Sequence, residues 1–430
     1  MRPKQISLLL FATIALAWAE LSGSFLIPLD HDAIQYAKAP VDDPISRLAK
    51  LVARGEVKLE FDEDGFGYLR SMLKALDLSI DSQVLVFSKT SFQAPRIGAR
   101  TPRALYFNDQ MSLGYVRGGD VLELAAVDPK QGVIFYTLDQ EKTLRPRFER
   151  RDQCLQCHQS GGTLGVPGLV VRSIYPERSG MPLFHAGTFV SDHRSPLKER
   201  WGGWYVSGTH GSAHHMGNAI VPDPDKPDRL EIEGTQNLTD LLFKFDTGAY
   251  LAPTSDIVAL LVLEHQTRMT NLITRVGFET RLALHMQAGM NQARNEPAST
   301  MSESTKRRID LAVEELVGYM LFQDETPLEA KVKGVSSFTQ TFAAHGPRDR
   351  HGRSLREFDL DKRLFRYPLS YMIYSEAFDA MPDAARSRAY TRLHAILKGE
   401  VASKLTADDR QAILGILLAT KKSLPPNWLR

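Results

Sequence analysis

The run ALYFNDQMSLGYVRGGDVLELAAVDPKQGVIFYT, residues 104–137, decides the fold of the amino-terminal half. It contains four short apolar segments of strand length, and a fifth at residues 83–88 precedes it. Turn residues separate several of them, namely Asn108-Asp109, Gly118-Gly119 and Asp128-Pro129. The pattern is typical of an antiparallel meander. We therefore expect residues 20–145 to form an α+β module dominated by a sheet.

The chain changes character after this module. Residues 146–237 are rich in glycine and strand-like runs, whereas residues 238–430 have helical periodicity. Ser255 and Asp256 supply capping groups for a helix that extends to about Gln292. Further helices are predicted at 303–322, 384–397 and 408–418. The predicted fold class is α+β, with a sheet-rich amino-terminal half and a helical carboxy-terminal domain.

Both cysteines of the chain lie in Cys154-Leu155-Gln156-Cys157-His158, a C-x-x-C-H motif within the sheet-rich half. Two thiols at this spacing can each bond to one vinyl group of the same haem, and the adjacent histidine can ligate the iron. The motif is typical of covalent attachment of haem c, with Cys154 and Cys157 bonded to the porphyrin and His158 as the proximal ligand. Because the chain has no other cysteine, we expect one haem.

Two other uses of the cysteine pair remain open at this point. A thioredoxin-like redox pair requires a strand-to-helix junction in a βαβ unit, whereas the motif follows the charged, proline-containing stretch 142–151. A zinc site requires four ligands, so a distant histidine would have to join Cys154, Cys157 and His158. Haem attachment requires no further residue.

The amino terminus has the pattern of a secretory signal peptide, residues 1–19. A basic head, Met1–Lys4, precedes an apolar run, and Ala17-Trp18-Ala19 provides a small-x-small cleavage pattern. Covalent haem attachment takes place outside the bacterial inner membrane, so export and the motif agree. We expect a periplasmic or secreted protein of a Gram-negative bacterium. No later apolar run approaches the ~20 residues of a transmembrane helix.

Charge restricts the class of partner. The formal net charge is +2, and removal of Arg2 and Lys4 with the signal peptide takes it to zero. A neutral mature protein argues against nucleic acid as the main partner. A periplasmic redox protein is the partner that the motif predicts.

The iron can take a second axial ligand, the distal ligand, from a histidine or methionine. His210, His215 and Met216 are candidates because they follow the motif in a glycine- and tryptophan-rich segment. His265 is another candidate, since it lies on the apolar stripe of the first carboxy-terminal helix. For each single histidine, the alternative interpretation is a hydrogen-bonded core or loop residue.

Two arginines directly precede the motif. Arg150 and Arg151 are candidates for contacts with the haem propionates, because guanidinium groups form bidentate bonds with carboxylates. Cations beside a haem edge can also steer an acidic redox partner. The alternative is a solvated loop with ordinary surface charge.

Residues 154–158 match the attachment signature of c-type cytochromes. The larger pattern, which adds the signal peptide, the sheet-rich front, Trp201-Gly202-Gly203-Trp204-Tyr205 and the helical end, resembles exported mono-haem proteins of Gram-negative bacteria. The resemblance implies one covalent haem c, with Cys154, Cys157 and His158 in their usual roles. It does not extend to the small all-helical cytochrome c domain, because strands and glycine loops are predicted after the motif.

Two functions follow from a single covalent haem. Single-electron transfer to a periplasmic partner uses a six-coordinate iron, whereas a haem enzyme or sensor keeps the sixth position open for peroxide, oxygen or nitric oxide. The length of the chain favours the second function. The sequence identifies no set of distal residues for such chemistry, which favours the first. A third possibility is a binding module in which the haem is structural.

Overall fold

The meander predicted from residues 104–137 is the centre of a seven-stranded sheet in the computed structural model, which describes residues 26–227 and 229–429. The predicted signal peptide, residues 1–19, lies outside the described residues. The strands are β1 (Val84–Val86), β2 (Arg103–Asn108), β3 (Met111–Tyr115), β4 (Val121–Asp128), β5 (Gly132–Asp139), β6 (Phe148–Arg150), β7 (Arg172–Ile174), β8 (Thr188–Val190) and β9 (Trp204–Tyr205).

The α-helices include the four that periodicity predicts in the carboxy-terminal half. They are α1 (Pro44–Ala53), α2 (Leu69–Ala75), α3 (Leu155–His158), α4 (Ile257–Arg294), α5 (Glu303–Met320), α6 (Phe338–Ala344), α7 (Glu376–Asp379), α8 (Asp383–Lys398) and α9 (Ala407–Thr420). The α+β class, a sheet-rich region followed by a helical region, is confirmed. Residues 238–256 contain only a short 3₁₀ turn, so the α-helical part begins at Ile257.

The large sheet is antiparallel, with the strand order β6-β5-β4-β3-β2-β1-β9. Side chains of the turn residues fix its hairpins. The side-chain Oδ1 of Asn108 accepts from the backbone N–H of Met111, and Oδ1 of Asp128 accepts from the backbone N–H of Gln131. β9 comes after the C-x-x-C-H motif and pairs with β1. The segment that contains the motif therefore connects β6 and β9, the two edge strands of the sheet. β7 and β8 form a separate two-stranded sheet.

Alternation along β5 gives the sheet two buried faces. Ile134, Tyr136 and Leu138 point into a core shared with α1 and α2, whereas Val133 and Phe135 point to the opposite face. The C-x-x-C-H motif and α4 lie on that second face. The sheet therefore separates the amino-terminal helices from the motif.

Helix α4 is the centre of the second core. Its first half is buried on all sides because the sheet lies on one side and helices α5 to α8 lie on the other. Asp256 caps the helix by accepting from the N–H of Val258, and its other oxygen binds the backbone of Val335 and Ser336. Within the described ranges, no helix combines the length and apolar composition that a membrane span requires.

Candidate haem-attachment site

The two cysteines lie on one short helical turn. β6 ends at Arg150, a 3₁₀ turn covers Asp152–Cys154, and α3 covers the rest of the motif. Residues three apart in such a turn share a face, so both thiols lie on the same side. Cys154 is half-buried against the face of the sheet that carries Phe135, whereas Cys157 is exposed; neither forms a disulfide. Burial raises the pKa of the Cys154 thiol.

The His158 ring is oriented by one backbone carbonyl. Its Nδ1 lies 2.9 Å from the carbonyl oxygen of Gly168, and its ring packs on Phe135 at 4.7 Å between centroids. Because a carbonyl can only accept, Nδ1 carries the proton and Nε2 presents its lone pair. Nε2 has no hydrogen-bond partner among the described residues and is not sealed from solvent. This is the tautomer and the open nitrogen that an iron-ligating histidine requires.

The charge state of His158 also suits a ligand. Burial lowers the pKa of His158, and the nearby cations Arg103 and Arg172 lower it further against the opposing effect of the Gly168 carbonyl. The ring is therefore neutral at neutral pH, which is the form of histidine that ligates a metal.

Helix α4 holds the carbonyl that orients His158. The Asn271 amide accepts from the N–H of Leu169 at 3.1 Å and donates to the Leu169 carbonyl at 2.7 Å. A Cβ on Gly168 would lie 2.2 Å from the Asn271 Oδ1, so only glycine fits there. Gly168 in turn donates its N–H to the carbonyl of His158. Gly168 and Asn271 could not be identified from the sequence, since nothing in the local pattern links Gly168 to a helix that begins at Ile257.

Arg150 and Arg151 already have partners within the chain. Arg150 donates to Asp152 and to the Tyr36 carbonyl, and its guanidinium stacks on the Tyr36 ring at 4.7 Å. Arg151 donates to the Thr137 hydroxyl and forms an ion pair with Glu149. Their predicted contact with haem propionates stays a prediction.

Two other arginines beside His158 have donors to spare. Arg103 pairs with Glu123 through Nη1, but its buried Nε has no partner. The Arg172 guanidinium forms no hydrogen bond or ion pair with any of the described residues. Arg103 lies on β2 and could not be identified from the sequence, because only the folded sheet brings this residue near the motif.

His210 and His215 lie together but away from His158. Both are buried, and their ring centroids are 4.7 Å apart. His210 Nε2 accepts from the backbone N–H of Asn237. Gly208, two residues before His210, packs on Ile257 at the start of α4. Leu169, which follows the motif, contacts the same helix at Asn271, about 21 Å further along its axis.

Met216 and His265 are each engaged in the core. The Met216 sulfur accepts from the Ser173 hydroxyl at 3.6 Å. His265 Nδ1 lies 2.8 Å from Nδ1 of His193, and its Nε2 lies 2.8 Å from the Ser370 hydroxyl. His265 precedes Asn271 by six residues, or about 240° around the helix, so the two face different sides.

The structure therefore brings together Cys154, Cys157 and His158, and separately His210 and His215. No hydrogen bond or ring contact in the described ranges joins any of the four distal candidates to His158. Each of them has the packed or hydrogen-bonded environment of a core residue. A protein ligand on the distal side stays a prediction.

The buried histidines predict acid sensitivity. Burial lowers the pKa of His215 and of His265 to about 3. In the unfolded chain a histidine binds a proton below about pH 6.5. In the folded protein these two histidines bind a proton only near pH 3. The free energy of unfolding should therefore fall as pH decreases from 6.5, by about 1.4 kcal/mol per pH unit for each group.

Chemical denaturation at pH 7 and at pH 5 checks this expectation. His215→Phe removes one titrating ring from its contact with Trp201, so the variant should lose less stability between the two pH values than the unchanged protein. A buried ring that does not titrate provides the control: Phe338→Leu should leave the pH dependence unchanged. Equal pH dependence in the His215 variant and the unchanged protein would contradict the assignment.

Comparison with known proteins assigns no role to these residues. No family model matches the chain, no curated protein matches it, and no solved structure matches it. Within the described ranges, no group of three or more His, Cys, Asp or Glu side chains has an arrangement that could hold a metal ion, so the zinc alternative gains no support. The motif follows a strand of an antiparallel sheet, which is not the βαβ context of a thioredoxin-like redox pair.

Proposed function

We propose that this chain is an exported c-type haem protein that binds one haem covalently and transfers single electrons to a periplasmic partner. The observation that carries the proposal is the state of His158. Its Nδ1–H is held by the Gly168 carbonyl and its Nε2 is free, on the same helical turn as two unbonded thiols. Each of the three donors has the chemistry that haem c requires.

Each residue around the motif has a definable part in such a site. Cys154 and Cys157 would hold the porphyrin through thioether bonds, and His158 would ligate the iron through Nε2. The hydrogen bond from Nδ1 to the Gly168 carbonyl makes Nε2 a stronger electron-pair donor to a metal, and Asn271 keeps that carbonyl in place. When bound, haem supplies an iron that accepts and releases one electron.

The propionates are the anionic end of haem, and the site offers cations for them. Among the described residues, neither the buried Nε of Arg103 nor the guanidinium of Arg172 has a partner. Both lie close enough to His158 to lower its pKa. These two arginines suit charge-assisted bonds to carboxylates better than Arg150 and Arg151, each of which already pairs with a carboxylate through part of its guanidinium.

Production in a host with haem-ligation machinery tests the proposal. The purified protein should be coloured, give the pyridine haemochrome spectrum of a thioether-linked haem, and exceed the bare polypeptide in mass by one haem after denaturation. The same chain made without that machinery is the control and should be colourless. A colourless product with the mass of the bare processed polypeptide in the competent host would refute covalent attachment.

A haem enzyme or sensor with an open sixth position is the second candidate. It is favoured by the placement of the four distal candidates in other parts of the core. Cyanide or imidazole added to the ferric protein distinguishes the two functions. An immediate shift of the Soret band supports an open position, whereas inertness supports two protein ligands and electron transfer.

A further inference from the structure

A cavity of about 410 Å³ lies between the β4–β5 turn, the middle of α4 and the start of α8. Its volume falls within the range of sites that bind small molecules. Gly132 and Thr274 form one wall, and neither cysteine of the motif nor His158 lines the cavity. The cavity is therefore separate from the site proposed for haem, and binding of a ligand in the cavity does not depend on haem.

Arg281 gives this cavity a positive charge, and the carboxylate of Asp128 at the end of β4 attracts it from a distance without forming an ion pair. Its Nε, Nη1 and Nη2 donate to the carbonyls of Ala33, Lys130 and Ile34, which fix the guanidinium but do not neutralise it. No carboxylate among the described residues forms an ion pair with Arg281. A guanidinium has five N–H donors, so two remain free for an anion.

The other charged residues leave the excess positive. Lys130 and Arg386 also line the cavity, and Asp383 is its one acidic residue within the described lining. Asp383 is paired with Arg386 and is exposed at the rim. Lys130 has no side-chain partner among the described residues, so it adds to the charge of Arg281. An anionic ligand group is the complement of this surface.

The remaining wall is apolar and includes empty space. Ile273, Ala377 and Met381 are buried side chains that line the cavity. A Cβ on Gly277 would meet no atom within 4 Å, because this helical glycine opens onto the cavity. Such a surface suits an organic body rather than a bare inorganic ion.

We propose that this cavity binds a small organic carboxylate. The carboxylate group contacts Arg281 and Lys130, and the apolar body lies against Ile273, Met381 and the open backbone of Gly277. A neutral molecule of the same shape leaves the guanidinium unpaired and binds more weakly. An inorganic anion leaves the apolar wall in contact with water.

Calorimetric titration of the full chain with hexanoate tests the proposal, with hexanamide and inorganic phosphate as comparison probes. Hexanoate should bind saturably, and both comparison probes should bind at least about tenfold more weakly, the amide because it lacks the charge that pairs with Arg281 and phosphate because it lacks an apolar body. Absence of saturable hexanoate binding, or equal binding of the amide or phosphate, overturns the proposal. This comparison requires no variant.

A pair of glycine variants on one helix locates the binding. Gly277→Leu fills the cavity, whereas Gly289→Leu places the same side chain on the exposed surface of α4, where a Cβ also meets no atom within 4 Å. Leucine is a better helix former than glycine, so both variants should fold. We expect Gly277→Leu to weaken hexanoate at least tenfold and Gly289→Leu to leave it unchanged. Equal affinities of the two variants would place the ligand elsewhere and overturn the proposal.

Discussion

Replacement of both cysteines, Cys154→Ala with Cys157→Ala, is expected to abolish covalent haem attachment. No other cysteine exists in the chain, so no thioether bond can form elsewhere. The polypeptide isolated under denaturing conditions should then have the mass of the bare processed chain and show no haem stain. The effect is all or none, because attachment depends on sulfur chemistry rather than on the strength of packing.

The fold should survive these substitutions. Cys157 is exposed and Cys154 is only half-buried, so neither thiol contributes much buried surface. Circular dichroism of the double variant compared with haem-free unchanged protein checks this point. His158→Ala is the matched third variant: both thioether bonds should persist, while the spectrum changes because the proximal nitrogen is lost. Covalent haem in the double cysteine variant would refute the assignment of the attachment residues.

The second large effect is expected from Arg200→Met, which should lower the free energy of unfolding by about 3–5 kcal/mol. Arg200 and Glu264 form a buried ion pair at 3.0 Å, with side chains 4% and 0% exposed. Arg200 also donates to the carbonyls of His193 and Ser195. Burial raises the pKa of Glu264 to about 8, and the Arg200 guanidinium opposes that rise. The variant leaves this buried carboxyl group without its cationic partner, and the low dielectric of the interior makes that state costly.

Denaturation of Arg200→Met and of two reference variants measures this effect. Arg392→Met removes an ion pair with Glu314 at the surface, and its cost should stay within about 1 kcal/mol. Adding Glu264→Met to Arg200→Met should recover part of the lost stability, because no buried charge then remains unpaired. If Arg200→Met lowers the free energy of unfolding by less than about 1 kcal/mol, water reaches the ion pair and the start of α4 is not the buried core described above.

Much of the fold follows from local patterns. The segments 104–107, 121–124 and 133–137 lie within β2, β4 and β5, and 113–116 exceeds the end of β3 by one residue, since period-2 alternation and turn residues act over a few positions. The helices predicted at 303–322, 384–397 and 408–418 correspond to α5, α8 and α9 within a few residues at each end. The strand-like runs expected within 146–237 give only short strands; β8, for example, is preceded by a 3₁₀ turn at Phe184–Ala186.

Pairing between distant segments could not be predicted in this way. The contact of β9 with β1 depends on a register that no turn sets. His265 was a ligand candidate because it lies on an apolar stripe, but the pattern could not show that His193, from a loop seventy-two positions earlier, meets its Nδ1. Likewise, the stretch after the motif gave no sign that Asn271 would hold Leu169.

The sequence by itself determined the chemistry that this chain can offer and the class of its fold. Cysteine count and spacing are covalent facts, and turn and helix signals act locally, so neither requires the folded chain. Only the tertiary structure decided that His158 keeps its Nδ1 bonded and its Nε2 open to a ligand. That outcome depends on the Gly168 carbonyl, which Asn271 of α4 holds through Leu169, one hundred and two positions before it, and the free energy of such a contact exists only once the chain has packed.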